Sequence, residues 1–201
     1  MFTNKRRIAV RTLAMIALIA LLVGIGLTAA APQSAHASGG APYGFRLPFR
    51  GYAQISQGPR CAYSHYSGID KEAIDFVVFS SNAPVLATSG GWAQAFPNTW
   101  PGGNMVKVYH PNGMTSIYAH LKDFTGLNTN GIYWVNKGQR IGTVGNTGYT
   151  YGRHLHFAVV KTSTQEPVKI YDIPGMRWWE RDPATQWCIL NGRNEGDAYA
   201  W

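Results

Sequence analysis

From Tyr52 to Lys161 the chain contains no window of helical period longer than two turns. Short apolar runs are broken every few residues by glycine, asparagine or proline. A chain that never sustains the 3.6-residue period has to bury its apolar side chains from strands. Pro84–Ala87 reads as a buried strand. Asn104–His110 and Met114–Leu121 flank Pro111-Asn112-Gly113, and an Asn-Gly between two β-rich runs is the strongest short-range hairpin signal. Arg140–Gly145 and His154–Lys161 read as two further strands, separated by the turn-rich Asn146–Gly152. The expected fold class is all-β, an antiparallel sandwich or barrel-like sheet. Residues 38–51, small and polar with Pro42 and Pro48, read as a linker, and residues 52–165 as the β domain. Residues 166–201 lack strand alternation and carry Trp178, Trp179, Trp187 and Trp201. They read as an irregular extension packed on the β core, with a binding surface for glycan or peptide as the alternative. At 45% hydrophobic and 14% charged residues, the chain as a whole is not disordered.

The amino end reads as an address. Lys5, Arg6, Arg7 and Arg11 precede an uncharged apolar run, Leu13–Ala31, and Ala35-His36-Ala37 has the A-x-A form of a signal-peptidase site. Residues 1–37 are therefore expected to be a cleaved export signal, or an uncleaved membrane anchor, with the rest of the chain outside the cytoplasm: secreted, extracellular or in the cell envelope. The formal net charge is +8, from 18 basic and 10 acidic residues. Removing residues 1–37 takes four of the basic residues and none of the acidic ones, which leaves a net +4. No dense Lys/Arg block follows Arg11, so the expectation is no nucleic acid and an affinity for an anionic envelope polymer. A membrane is a partner only if the first segment stays attached. Cys61 and Cys188 are the only cysteines, and in an oxidising compartment they can pair, a bridge worth about 3–5 kcal/mol.

Of the six histidines, His36 leaves with the signal. His154-Leu155-His156 lies in a strand candidate, which sends both imidazoles to one face and Leu155 and Phe157 to the other. His120 ends another strand and, by alternation, shares its face with Tyr118 and Ser116. Asp75 opens the apolar run Asp75–Phe79, where an acidic residue is costly unless it is paired or ligates something. With His65, these residues can supply nitrogen and oxygen ligands for one tetrahedral zinc with a position left open. His110, beside the hairpin turn, reads as a surface or packing histidine.

His65, Asp75, Tyr118-Ala119-His120-Leu121 and His154-Leu155-His156-Phe157 together resemble the lysostaphin-type (LytM-like) zinc metallopeptidases of bacterial cell walls. Asn82–Ala87 stands where that family has G-T-P-V-x-A. Gly103–His110 is similar to its G-N-x-V-x-I-x-H strand, and Gly138–Gly148 to its G-Q-x-I-G-x-V-G-N-T-G turn. The resemblance covers residues 60–161 in order. It implies an all-β domain of the duplicated-hybrid-motif type, with one Zn²⁺ per chain on His65, Asp75 and His156. It implies that His120 and His154 are the two active-site histidines that do not bind metal. One departure stands out: the family spaces its first two ligands as H-x-x-x-D, whereas nine residues separate His65 from Asp75. Asp70, in Ser67-Gly68-Ile69-Asp70, is the alternative ligand. Asp75 is preferred because its distance to Pro84 matches the family, which puts an insertion in the loop after His65.

The implied activity is that of an exported metalloendopeptidase acting on peptidoglycan peptides. In that chemistry a zinc site lowers the pKa of water to about 7, and His120 and His154 share proton transfer and oxyanion stabilisation. The alternatives are a non-catalytic relative that binds wall or activates a hydrolase, and a glycan-binding module built on the tail tryptophans.

Overall fold

The computed structural model describes residues 42–60, 64–179 and 195–200. Residues 1–37, read as an export signal or anchor, and Cys61, Cys188, Trp187 and Trp201 lie outside the described residues. Eleven strands follow in chain order: β1 (Gly51–Gln57), β2 (Ile74–Val78), β3 (Pro84–Leu86), β4 (Gly91–Thr99), β5 (Gly103–Tyr109), β6 (Met114–Asp123), β7 (Ile132–Val135), β8 (Arg140–Val144), β9 (Leu155–Lys161), β10 (Met176–Trp179) and β11 (Glu195–Ala200). All pairings are antiparallel. The path runs β10-β11-β1-β2-β9-β6-β5-β4-β7, and β8 pairs with β6 and carries β3. The all-β class is as expected, and the sheet is open: β10 and β7 end the path without meeting. The Asn-Gly hairpin forms as β5–β6 around Gly113, whose φ is +78°.

Two of the expected boundaries differ. Within the stretch read as a linker, Phe45, Leu47 and Phe49 are fully buried in the main core, with Phe49 against the Phe76 ring at 5.0 Å. Three such side chains bring about 1.5–3 kcal/mol each in apolar burial, so this part of the chain belongs to the domain. The extension, expected to be irregular, contributes two strands among its described residues, and β11 pairs with β1 from Gly51↔Ala200 to Ile55↔Gly196. Backbone hydrogen bonding to an existing strand supplies order that side-chain alternation did not signal.

The centre of the sheet, β2-β9-β6, has two differently used faces. One sends Phe76, Leu155, Phe157 and Tyr118 into the main core. Burial raises the Tyr118 hydroxyl above its ordinary value and keeps it neutral there, and it lies 2.8 Å from the Thr88 N–H and 2.9 Å from Ser116 Oγ. The other face holds the small cluster Ala73, Ile117, Ala158 and Val160, and at its end the polar groups described next. His110 is a packing residue, as read: it is buried, with its ring nitrogens 2.8 Å from the Gly90 carbonyl and 2.9 Å from Ser116 Oγ.

Candidate metal centre

Asp75 and His156 are direct partners across β2 and β9, and His156 is also the partner of Ala119 on β6. Paired residues project to the same face, so strand register alone brings Asp75 and His156 together. His65 arrives from the loop after β1. Its Nδ1–H donates to the carbonyl of Gly58 at 3.0 Å, and the side chain is fully buried. That bond leaves the Nε2 lone pair directed at the other two residues. His65 Nε2, Asp75 Oδ1 and His156 Nδ1 form a triangle with edges of 3.3, 2.9 and 3.3 Å. Donors bound to tetrahedral zinc at about 2.0–2.1 Å stand about 3.3–3.4 Å apart, so the triangle has the dimensions of one face of such a site. Two unprotonated ring nitrogens and a carboxylate at these distances repel unless a cation, either a proton or a metal, sits among them. The donor set and its spacing thus fit Zn²⁺, which these three residues could hold together.

The sequence offered Asp70 as an alternative to Asp75. Both carboxylates reach His156, but at different atoms: Asp75 Oδ1 lies 2.9 Å from Nδ1 and Asp70 Oδ1 lies 3.0 Å from Nε2. Only Asp75 also reaches His65, and Asp70 is not part of the three-donor cluster.

His120 is where alternation misled. Along β5 and β6, Val106 pairs with Tyr118 but Asn104 pairs with Leu121, so β6 carries one extra residue. This bulge swaps the face of the following side chain. Tyr118 points into the core while His120 turns to the metal side, its ring centroid 4.8 Å from that of His154 and 5.9 Å from that of His156. His120 has φ +61°, a left-handed conformation costing about 1–2 kcal/mol for a residue with a Cβ. Its N–H donates to the Gly102 carbonyl at 2.8 Å and its Nδ1–H to the Thr147 carbonyl at 2.9 Å. Thr147 is itself tied by Oγ1 to Leu121 O (2.8 Å) and to the N–H of Asn104 (2.9 Å). The next residue, Gly148, has φ +79° and lies where a Cβ would come within 2.4 Å of the Gly103 nitrogen, so only glycine lets this loop pack close enough to orient His120. His154 enters β9 with its Nδ1–H donating to Gly152 O at 2.8 Å, and its Nε2 is 3.6 Å from Asp75 Oδ2. His154 therefore turns Nε2 toward the cluster, and His120, with Nδ1 engaged, has Nε2 free.

Burial holds His120 down to about 4, with His154 and His156 nearby adding to the effect and the Thr147 carbonyl opposing it, so at neutral pH it is an uncharged proton acceptor. Burial alone would raise Asp75, but His65 and His156 hold it well below the ordinary carboxylate range. Burial also works against charge on His156, yet Asp70 and Asp75 outweigh it and push it up to about 10. In metal-stripped protein this protonated imidazole stabilises the fold fully below its unfolded value of about 6.5, and the contribution disappears as pH rises through about 10. A metal bound at His156 would have to displace a proton from that ring. Titrating metal-stripped protein with zinc in weak buffer at about pH 8 is expected to release close to one proton per metal from His156; an imidazole of ordinary pKa, about 6.5, would release almost none.

Asp70 and Thr147 went unread as orienting groups. Asp70 had a signal, a carboxylate inside the inserted segment. The Thr147 and Gly58 carbonyls, being backbone, had none.

A peptidase family M23 model matches residues 69–169, half of the chain. The chain belongs to peptidase family M23. Among curated relatives, the DD-carboxypeptidase/endopeptidase Mpg of Neisseria meningitidis serogroup B is 33% identical over 106 residues, 52% of this chain and 22% of that protein. The cell division protein DipM of Caulobacter vibrioides is 32% identical over 131 residues, 65% of this chain and 20% of that protein. The chain thus spans about a fifth of the length of these relatives. In fold it is similar to the M23 metalloprotease pseudoalterin, with a TM-score of 0.51 at 22% identity over 80% of this chain and 97% of that one. M23 membership supports peptidase activity in general, and the His65–Asp75–His156 cluster is the one possible metal site of three or more donors among the described residues.

Proposed function

We propose that this M23 chain is an exported zinc metalloendopeptidase that hydrolyses peptide bonds of bacterial peptidoglycan. The observation that carries the reading is the convergence of the His65, Asp75 and His156 donors at 2.9–3.3 Å with two further imidazoles, His120 and His154, aimed at the same place. A zinc ion held there would supply a Lewis acid for the scissile carbonyl and lower the pKa of water to about 7. His120, uncharged and anchored through Nδ1, is suited to take a proton at Nε2. His154, anchored the same way at Gly152, is suited, once its Nε2 carries a proton, to stabilise developing negative charge or to return that proton to the leaving amine. The bonds to Thr147 O and Gly152 O fix which nitrogen of each ring is free, so neither ring has to reorganise during turnover.

The wall substrate is supported by the modest positive charge left after residues 1–37 and by aromatic side chains around the site. Trp100 and Tyr149 are exposed, with ring centroids 5.5 Å apart, and Tyr149 lies 2.9 Å from the exposed Tyr151 hydroxyl to hydroxyl. They sit on the two loops that meet through the Tyr149 N–H and the Pro101 carbonyl, beside the Gly102 contact to His120. Such a ridge suits the peptide or glycan of an extended polymer chain. Export rests on the basic, apolar and A-x-A pattern of residues 1–37. The widened His65–Asp75 spacing, which would have favoured a non-catalytic relative, is taken up by the intervening loop while the donors still converge.

In the test, purified protein is incubated with purified peptidoglycan and new amino groups are counted. Release is expected, loss on chelation is expected, and restoration by one equivalent of zinc is expected. Zinc-loaded protein that sediments with walls yet releases no amines overturns the reading.

A further inference from the structure

The segment that widens the first ligand spacing is not an inert insertion. Residues 66–73 fold into a turn, with Gly68–Asp70 as a single 3₁₀ turn, closed by the Lys71 N–H on Gly68 O (3.3 Å) and the Ala73 N–H on Asp70 O (2.9 Å). Glu72 of the same segment is buried and paired with Arg60 at 2.8 Å. The turn is thereby tied to the strand end that leads into His65 and brings the Asp70 carboxylate to 3.0 Å from His156 Nε2. At that distance the Asp70 carboxylate accepts the Nε2–H.

We propose that Asp70 is a positioning residue for the metal centre: by accepting the Nε2–H of His156 it fixes the tautomer and ring plane that leave the Nδ1 lone pair toward His65 Nε2 and Asp75 Oδ1. The inference rests on the zinc reading above. His65 gets the same service from a backbone carbonyl, that of Gly58. His156, the second residue of β9, has its neighbouring backbone engaged in the β2 and β6 ladders and receives it from a side chain. A carboxylate behind an imidazole raises its donor strength as well as orienting it. The inserted residues therefore pay their ordering cost with a second-layer anchor, and the same aspartate that sequence offered as a rival ligand is a support for the ligand.

The experiment uses the zinc-loaded protein and its Asp70→Ala and Asp70→Asn variants. Zinc affinity is measured by competition with a chromophoric chelator, and the hydrogen-bonded imidazole N–H of His156 is followed as a downfield proton resonance. Asp70→Ala is expected to weaken zinc by about 10–100-fold at unchanged stoichiometry and to lose the resonance. Asp70→Asn, which is isosteric and retains a neutral acceptor, is expected to recover part of the affinity and keep the resonance. Both variants binding within about twofold of wild type overturns the proposal, since outer partners are worth more than that. Loss of stoichiometric zinc in both makes Asp70 a ligand and overturns it also. Wild-type protein that takes up no zinc overturns the underlying metal reading and this inference together, an outcome distinct from the first two.

Discussion

Asp75→Ala is expected to abolish stoichiometric zinc binding and, with it, all amine release from walls. Asp75 is the one described carboxylate that reaches both candidate imidazole ligands, His65 at 3.3 Å and His156 at 2.9 Å. Removing it leaves two nitrogens and no anionic donor, so the loss should greatly exceed the about 10–100-fold attached to an outer partner such as Asp70. Metal content of the purified variant, measured after dialysis against trace zinc, gives the answer directly. A variant that retains one zinc per chain would mean that the carboxylate donor is another residue.

The second large effect is kinetic and leaves the metal in place. His120→Ala is expected to lower kcat by about 10²–10⁴-fold, the usual worth of a positioned proton-transfer group, with zinc content unchanged because His120 lies outside the donor triangle. The backbone at this position supplies a control. With φ at +61°, His120→Gly removes the imidazole and the strain together, whereas His120→Ala keeps the strain. The two variants should be equally slow on walls while the glycine variant unfolds with about 1–2 kcal/mol less strain against it, read by denaturant titration of both. Unequal kinetic losses would point to loop position, and not the imidazole, as the source of the effect.

The strands that sequence made legible are those whose ends carry strong punctuation. Pro84, Gly103, Gly113 and the turn between Val144 and Leu155 bracket β3, β5, β6, β8 and β9, and their bounds fall within a residue or two of expectation. Strands without that bracketing went unread. β7 (Ile132–Val135) exposes three of its four residues, and β4 has exposed or half-buried residues over most of its length, so neither shows a buried face to detect. Phe45, Leu47 and Phe49 alternate as a strand would, but prolines and small residues around them gave the segment the composition of a linker.

At the site, the His154–His156 pair was legible because period two holds in β9. The face of His120 was not, because one inserted residue reverses the parity and no composition marks it. Asp70 was visible only as a competitor for the same role, since sequence order cannot say which of an imidazole's two nitrogens a carboxylate will meet.

The pairing of β11 with β1 has a bearing on where this protein can be cut. The family match begins at Ile69 and ends at Lys169, so it leaves out both the first strand and the last. A fragment trimmed to that boundary would uncover the hydrogen-bonding row of β2 from Asp75 to Val78, and one that keeps β1 but stops at Gln165 would uncover that of β1 from Gly51 to Ile55. Unpaired edges recruit strands from other copies, and here the edge borders the strand that bears Asp75. The carboxyl-terminal segment thus acts as a selvage, shielding from other copies the edge of the sheet on which the candidate metal ligands are mounted.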